Sequence, residues 1–244
     1  MSAYFNSQLL PEPSQEYVCF LDIMGIQSRM KKGCLAKCGN FIFKLHATIL
    51  EAWRTSGYKS VSVYPIMDGA YITSKNLGEL LDLLTDIYSY CAEALLATGD
   101  VFEHWYLIRG AVAYGSVIHG RSIPYEASLE FASRVGYKEQ LLIGAPMIHA
   151  FAGEGRAAPM GIYLDETATG KQCCKNWKWF NHCETRPDAD TLNGLRQKLV
   201  QYYDWLETHA DPEDYAREKR EEHLRRIKAY FEIPEHAPEP VCSL

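Results

Sequence analysis

Apolar and polar residues fall into blocks whose spacing changes along the chain, and the changes mark the elements. The run 17–26, YVCFLDIMGI, is short, rich in β-formers and broken by Gly25, which predicts a buried strand delivering Asp22 near its end. From 38 to 53, Phe41, Phe43, Leu45, Ile49, Leu50 and Trp53 fit one helical face, closed by Ser56-Gly57. Two β-rich runs, 60–66 and 70–74, flank Asp68-Gly69 and predict a hairpin. Residues 77–98 have strong helical amphipathicity, and 104–120 predict one or two long strands in which Gly110 and Gly115 mark bends or close approaches. Further on, 126–140 has a helical pattern, 143–155 starts a helix on Gly and Pro, 161–165 is a short strand and 173–182 another candidate. Two helices follow over 190–232, separated near Asp211-Pro212. The mixed charges of the second read as a solvated helix face, with a packing arm as the alternative. The tail from 233 carries three prolines and is expected to fray. This order places helices beside a mostly antiparallel sheet, an α+β plan of ferredoxin-like type.

Length and composition narrow the function classes. At 244 residues the chain accommodates one generous domain, or one of ~180–200 residues with a helical arm. No stretch approaches the ~20 apolar residues of a membrane span. The first residues show neither a basic leader nor an apolar signal core, so a cytoplasmic location is expected. A net charge of −6 gives no general affinity for polyanions, so nucleic acid is not an expected partner, and a nucleotide would have to be held by local cations and metal ions. Eight cysteines lack a paired C-x2-C framework. A zinc site from Cys173, Cys174, His182 and Cys183 is disfavoured, because adjacent residues of a strand point to opposite faces.

Candidate chemistry lies in Asp22 and Asp68, two carboxylates at strand ends among apolar neighbours. Ionised carboxylates in a partly dry site need partners, and a shared divalent cation supplies one. Read separately, Asp22 is equally well a strand cap and Asp68 a hairpin-turn residue.

Taken together, Phe20, Asp22, Ile23 and Gly25, followed by a helix and then a hairpin with Asp68-Gly69 at its tip, resemble the metal-binding core of class III adenylate and guanylate cyclases. LIRGAVAYGSVIHG (107–120) is similar to that family's R-x-G-x-x-x-G strand pair, and IGAPMIHAFAGE (143–154) to its Gly-started helix. The resemblance spans roughly 17–165. It implies a catalytic domain over 17–185, after an N-terminal extension (1–16) and before a C-terminal helical extension and tail (186–244). It further implies two Mg²⁺ or Mn²⁺ ions per active site, held by Asp22, Asp68 and the Ile23 carbonyl, and a head-to-tail homodimer with its sites at the interface. In such an enzyme the 3′-hydroxyl of a nucleoside triphosphate attacks its own α-phosphorus and displaces pyrophosphate.

Three positions depart from the family pattern. Where purine cyclases carry a base-reading Lys or Glu, four residues before the second Asp, this chain has Tyr64, which offers ring area and one hydroxyl. The Asn and Arg that those enzymes place on the Gly-started helix fall at Ile148 and Ala152. Arg109, Arg134, Lys138 and Arg156 are therefore the candidate phosphate cations, Arg109 foremost because it lies on the resembling strand; a strand-edge ion pair is its structural alternative. Tyr64 and the helix text are similar to the bacterial antiphage cyclases of the Pycsar type. That resemblance implies a cyclase making cyclic UMP or cyclic CMP; UTP is favoured over CTP as substrate, and Phe20, Gly25, Tyr64 and Arg109 are the residues expected to contact it. The product would act on a separate effector protein. An adenylate or guanylate cyclase, and an inactive cyclase-like regulatory domain, are the alternatives; the G-G-[DE]-E-F turn of diguanylate cyclases is absent. His119 and His149 are expected to be packed or solvated, and Trp177, Trp179 and Phe180 to belong to the core.

Overall fold

The computed structural model describes residues 5–170, 176–182, 187–210 and 215–232. Its elements, in chain order, are β1 (Ser14–Ile23), α1 (Ile26–Lys31), α2 (Leu35–Ser56), β2 (Ser62–Ile66), β3 (Gly69–Ser74), α3 (Leu77–Thr98), β4 (Ile108–His119), α4 (Leu129–Ser133) and α5 (Val135–Glu139). They continue with β5 (Leu142–Gly144), α6 (Ala145–Glu154), β6 (Ile162–Leu164), α7 (Glu166–Thr169), β7 (Asn176–Trp177), α8 (Ala189–His209) and α9 (Arg217–Tyr230).

The strands form one sheet in the order β2-β3-β1-β4-β6-β7, with β5 also paired to β4. The first four strands, antiparallel throughout, and the helices linking them reproduce the predicted ferredoxin-like plan. Among the described residues only β6 runs parallel, to residues 110–112 of β4. The strand period of two divides β1 by function. Cys19, Leu21 and Ile23 enter the main core with residues of α2 and α3. Val18, Phe20 and Asp22 face the other side, where α6 packs across β1 and β4.

Several expectations need adjusting. On α2 the buried stripe is Cys38, Phe41, Leu45, Ile49 and Ala52, whereas Phe43 and Leu50 are 74% and 56% exposed. Two residues beyond Phe41, the helix has turned Phe43 about 200° away from the core. The region 104–120 is a single long strand, and Gly110 marks a close approach, since a Cβ there would lie 3.0 Å from the Phe20 carbonyl oxygen. Residues 126–140 hold two short helices rather than one, interrupted where Arg134 leaves helical geometry (φ −117°, ψ 61°). Among the described residues of 173–182 only β7 is strand, and a 3₁₀ turn then buries Trp179 and Phe180. Cys173, Cys174, Cys183, Asp211-Pro212 and the tail from 233 lie outside the described residues. His182 lies 3.0 Å from the Asp82 carboxylate.

The C-terminal helices are a packing arm on one face and solvated on the other. Asp188 caps α8 by accepting the Thr191 N–H at 2.6 Å, and Leu192, Leu195, Leu199 and Leu206 bury its inner stripe. On α9, Arg217 and Glu221 pair in solvent at 2.8 Å, while His223, Ile227 and Tyr230 are buried. Arg226 donates to the Gly155 and Ala157 carbonyls at 2.7 and 3.2 Å, and the Tyr230 hydroxyl donates to the Trp177 carbonyl. These contacts fix α9 against the end of α6. Ile227→Ala is expected to cost about 2–5 kcal/mol in urea unfolding with an unchanged m-value. A loss below about 1 kcal/mol would show that α9 is not part of the cooperative unit.

Candidate active site

The carboxylates meet because two backbones close on each other. Asp22, one residue before the end of β1, lies opposite Gly69, the first residue of β3, so Asp68 in the hairpin tip stands beside it. A Cβ on residue 69 would lie 2.2 Å from the Leu21 carbonyl oxygen, so only glycine permits this approach. The tip itself is strained: Met67 has φ +35° and an exposed side chain. On its other edge Asp22 is opposite Arg109 of β4. Arg109 forms a two-pronged ion pair with Glu154 at the end of α6, Nε to one carboxylate oxygen and Nη2 to the other at 3.0 Å, with both side chains largely buried.

Glu154 is a third carboxylate at the site, and the motif reading did not assign it a role. Burial, reinforced by the charges of Asp68 and Glu154 and opposed by Arg109, pushes the Asp22 carboxyl up to about 7. Hard oxygen donors whose repulsion a divalent cation would relieve fit Mg²⁺ or Mn²⁺ in chemical type. No group of three or more His, Cys, Asp or Glu side chains is gathered into a metal cage among the described residues. Water or phosphate oxygens would have to join Asp22 and Asp68 to complete a coordination shell.

The remaining predicted residues divide. Gly25 starts α1 with φ +75°, which glycine adopts without strain. Ile23 buries its side chain, leaving its backbone as the part it could offer a ligand. The Phe20 ring is buried against Tyr71 and Phe151, with centroids 5.0 and 5.1 Å away. Of the other cations, Lys138 donates to the Ile123 carbonyl at 2.8 Å and Arg156 to the Tyr163 hydroxyl at 3.0 Å. On α6, Ile148 and Ala152 are exposed, as is His149.

Tyr64 is nearly buried, and its hydroxyl bonds to Nδ1 of His119, whose Nε2 lies 2.9 Å from the Glu16 carboxylate. Ser14 donates to the same carboxylate at 2.6 Å. An ionised Glu16 assigns the Nε2 proton to His119, and in that tautomer Nδ1 accepts the Tyr64 hydrogen. Glu16, Val18, Phe20 and Asp22 alternate along β1, so strand period alone puts Glu16 on the Asp22 face. Nothing in the sequence pairs it with a histidine about 100 residues away.

The sequence matches no protein-family model and no curated protein. Solved structures do resemble it. The guanylyl cyclase Cya2 superposes with a TM-score of 0.50 at 10% identity, over 65% of this chain and 78% of that one. The guanylyl cyclase domain of the RhoGC fusion protein from the aquatic fungus Blastocladiella emersonii gives 0.47 at 15% identity, over 66% and 85%. The fold is therefore the α+β fold of class III cyclase domains, with added C-terminal helices.

The buried Glu16 predicts a pH dependence. Burial raises its carboxyl pKa most, but the bonds from His119 and Ser14 and the His119 charge outweigh it and hold the group down at about 2. This stabilisation is complete above the ordinary carboxyl range and is lost as pH falls from there towards about 2. The stability difference between wild type and Glu16→Gln should accordingly shrink as denaturant titrations are moved from pH 6 to pH 2.5. A difference constant across that range would contradict the assignment.

Proposed function

We propose that the chain is a nucleotidyl cyclase that converts a nucleoside triphosphate into its 3′,5′-cyclic monophosphate and pyrophosphate. The observation that carries this reading is the Asp22–Asp68 pair, held side by side by the Gly69 approach on a cyclase fold. Asp22, Asp68 and the Ile23 carbonyl would hold two Mg²⁺ or Mn²⁺ ions, which when bound polarise the attacking hydroxyl and neutralise the phosphate charge. The chain's own residues position the reactants. The Asp22 carboxyl, pushed up chiefly by burial and further by the Asp68 and Glu154 charges, is a group that a bound cation would hold ionised as its ligand. Arg109, held by Glu154 on the strand beside Asp22, would supply positive charge to the phosphate oxygens.

The base is read as a pyrimidine, UTP or CTP. Tyr64 stands where a purine-reading Lys or Glu would be, and its ring occupies space that a two-ring base would need. A cyclic pyrimidine messenger acting on a separate effector in defence against phage follows from the same likeness. A homodimer with its sites at the interface is supported by α6, which packs on the carboxylate face yet leaves Ile148 and Phe151 72% and 61% exposed.

The purified chain should be incubated with Mn²⁺ and each of ATP, GTP, CTP and UTP, with cyclic product and pyrophosphate quantified. Cyclisation of a pyrimidine triphosphate is expected, with Asp22→Ala and Asp68→Ala each lowering the rate at least about a hundredfold. Cyclic AMP or cyclic GMP as the main product would remove the pyrimidine assignment and leave the cyclase. No cyclisation of any triphosphate, or full activity in Asp68→Ala, would remove both.

A further inference from the structure

A cavity of about 350 Å³ opens where the β1–α1 turn meets the C-terminal helices. Met24 and Gly25 line one end, α1 and the start of α2 one wall, and α8 and α9 the other. Its charge runs against that of the chain, whose net charge is −6. Five basic side chains line it, Arg29, Lys32, Lys37, Arg109 and Lys219, against the single carboxylate of Glu103. That tally covers the described residues, and segment 211–214 lies outside them.

The basic groups differ in what already holds them. Arg109 is paired with Glu154. Arg29 is fixed in place by the Tyr202 hydroxyl at 3.3 Å and by the face of Phe41. Neither Lys37 nor Lys219 has an ion-pair partner among the described residues. Positive charge reaches the inner wall as well. Burial lowers the His223 imidazole to about 3, and the charges of Arg109, Lys219 and Arg226 push it the same way.

The aromatic side chains of the wall are engaged with one another. Trp205 stacks on His209 at 4.4 Å, and Tyr202 on Trp105 at 5.6 Å. The Tyr215 hydroxyl donates to that of Tyr203 at 3.1 Å. Such a wall is rigid and leaves the lysines as the adaptable groups, which suits a compact anion better than a stacked ring.

We propose that this cavity is a polyphosphate-binding site roofed by the C-terminal helices, with Lys37 and Lys219 as its adaptable cations. Arg109 links it to the carboxylate pair, because it lies opposite Asp22 in the sheet and also lines the cavity. Identifying the physiological anion as the terminal phosphates of the nucleotide rests on the cyclase reading; the anion site itself does not. The C-terminal arm would thereby contribute to substrate affinity from a wall that the metal motif does not include.

Calorimetric titration of the full chain with inorganic tripolyphosphate, in EDTA and low salt, tests this without any turnover. One-to-one binding is expected, weakened about tenfold or more by Lys219→Glu and by Lys37→Glu. Lys44→Glu, an exposed α2 charge that does not line the cavity, should bind as wild type does. Asp22→Asn, defective in the proposed chemistry, should retain binding. Lys219 is exposed, so its substitution does not threaten folding. Absence of tripolyphosphate binding, or equal affinity in Lys219→Glu and wild type, would overturn the site. Tripolyphosphate binding by a chain that cyclises no triphosphate would keep the site and remove the function.

Discussion

Everything at the candidate site depends on one backbone approach, that of Gly69 to the Leu21 carbonyl oxygen. A side chain there would lie 2.2 Å from that oxygen, so the hairpin could not lie in register against the end of β1. With the register held, two carboxylates are brought together in partly dry surroundings, where their charges work against each other. The sheet tolerates this because the opposite face of β1 is buried in the main core through Cys19, Leu21 and Ile23. Packing energy on one side of the strand offsets electrostatic strain on the other.

The same separation of faces organises the rest of the molecule. The core side of the sheet is covered by long helices whose stability is ordinary hydrophobic burial. The other side carries the polar groups, and each is held by a neighbour from a distant part of the chain: Arg109 by Glu154, Tyr64 by His119, and His119 by Glu16. The buried faces of the C-terminal helices join the main core, while Arg226 ties α9 to the carbonyls just beyond Glu154.

Legibility in the sequence followed the range of the interaction. Local periodicity identified β1, the β2–β3 hairpin, α3 and α6, because burial of one face dictates spacing directly. It overstated α2, where Phe43 and Leu50 are apolar but face outward. Apolar identity alone does not say which side of a helix is covered. Asp22 and Asp68 were legible because both sit at element ends within a recognisable pattern. Glu154 and Glu16 carried no such signal. Their roles arise from contacts 45 and 103 residues away in sequence, which only the assembled sheet supplies. The inner face of α9 was obscured for a different reason, since Ile227 and Tyr230 are sparse among charges that do face solvent.

The Tyr64–His119–Glu16 chain also has a direction. While the imidazole is neutral, Tyr64 gives its only hydrogen to His119 and can offer an approaching group nothing but lone pairs. Whatever polar atom meets that oxygen must then bring its own hydrogen, as an amino group does and a carbonyl does not. The polarity of one hydroxyl on β2 is thus governed from β4, by the proton on the far nitrogen of an imidazole.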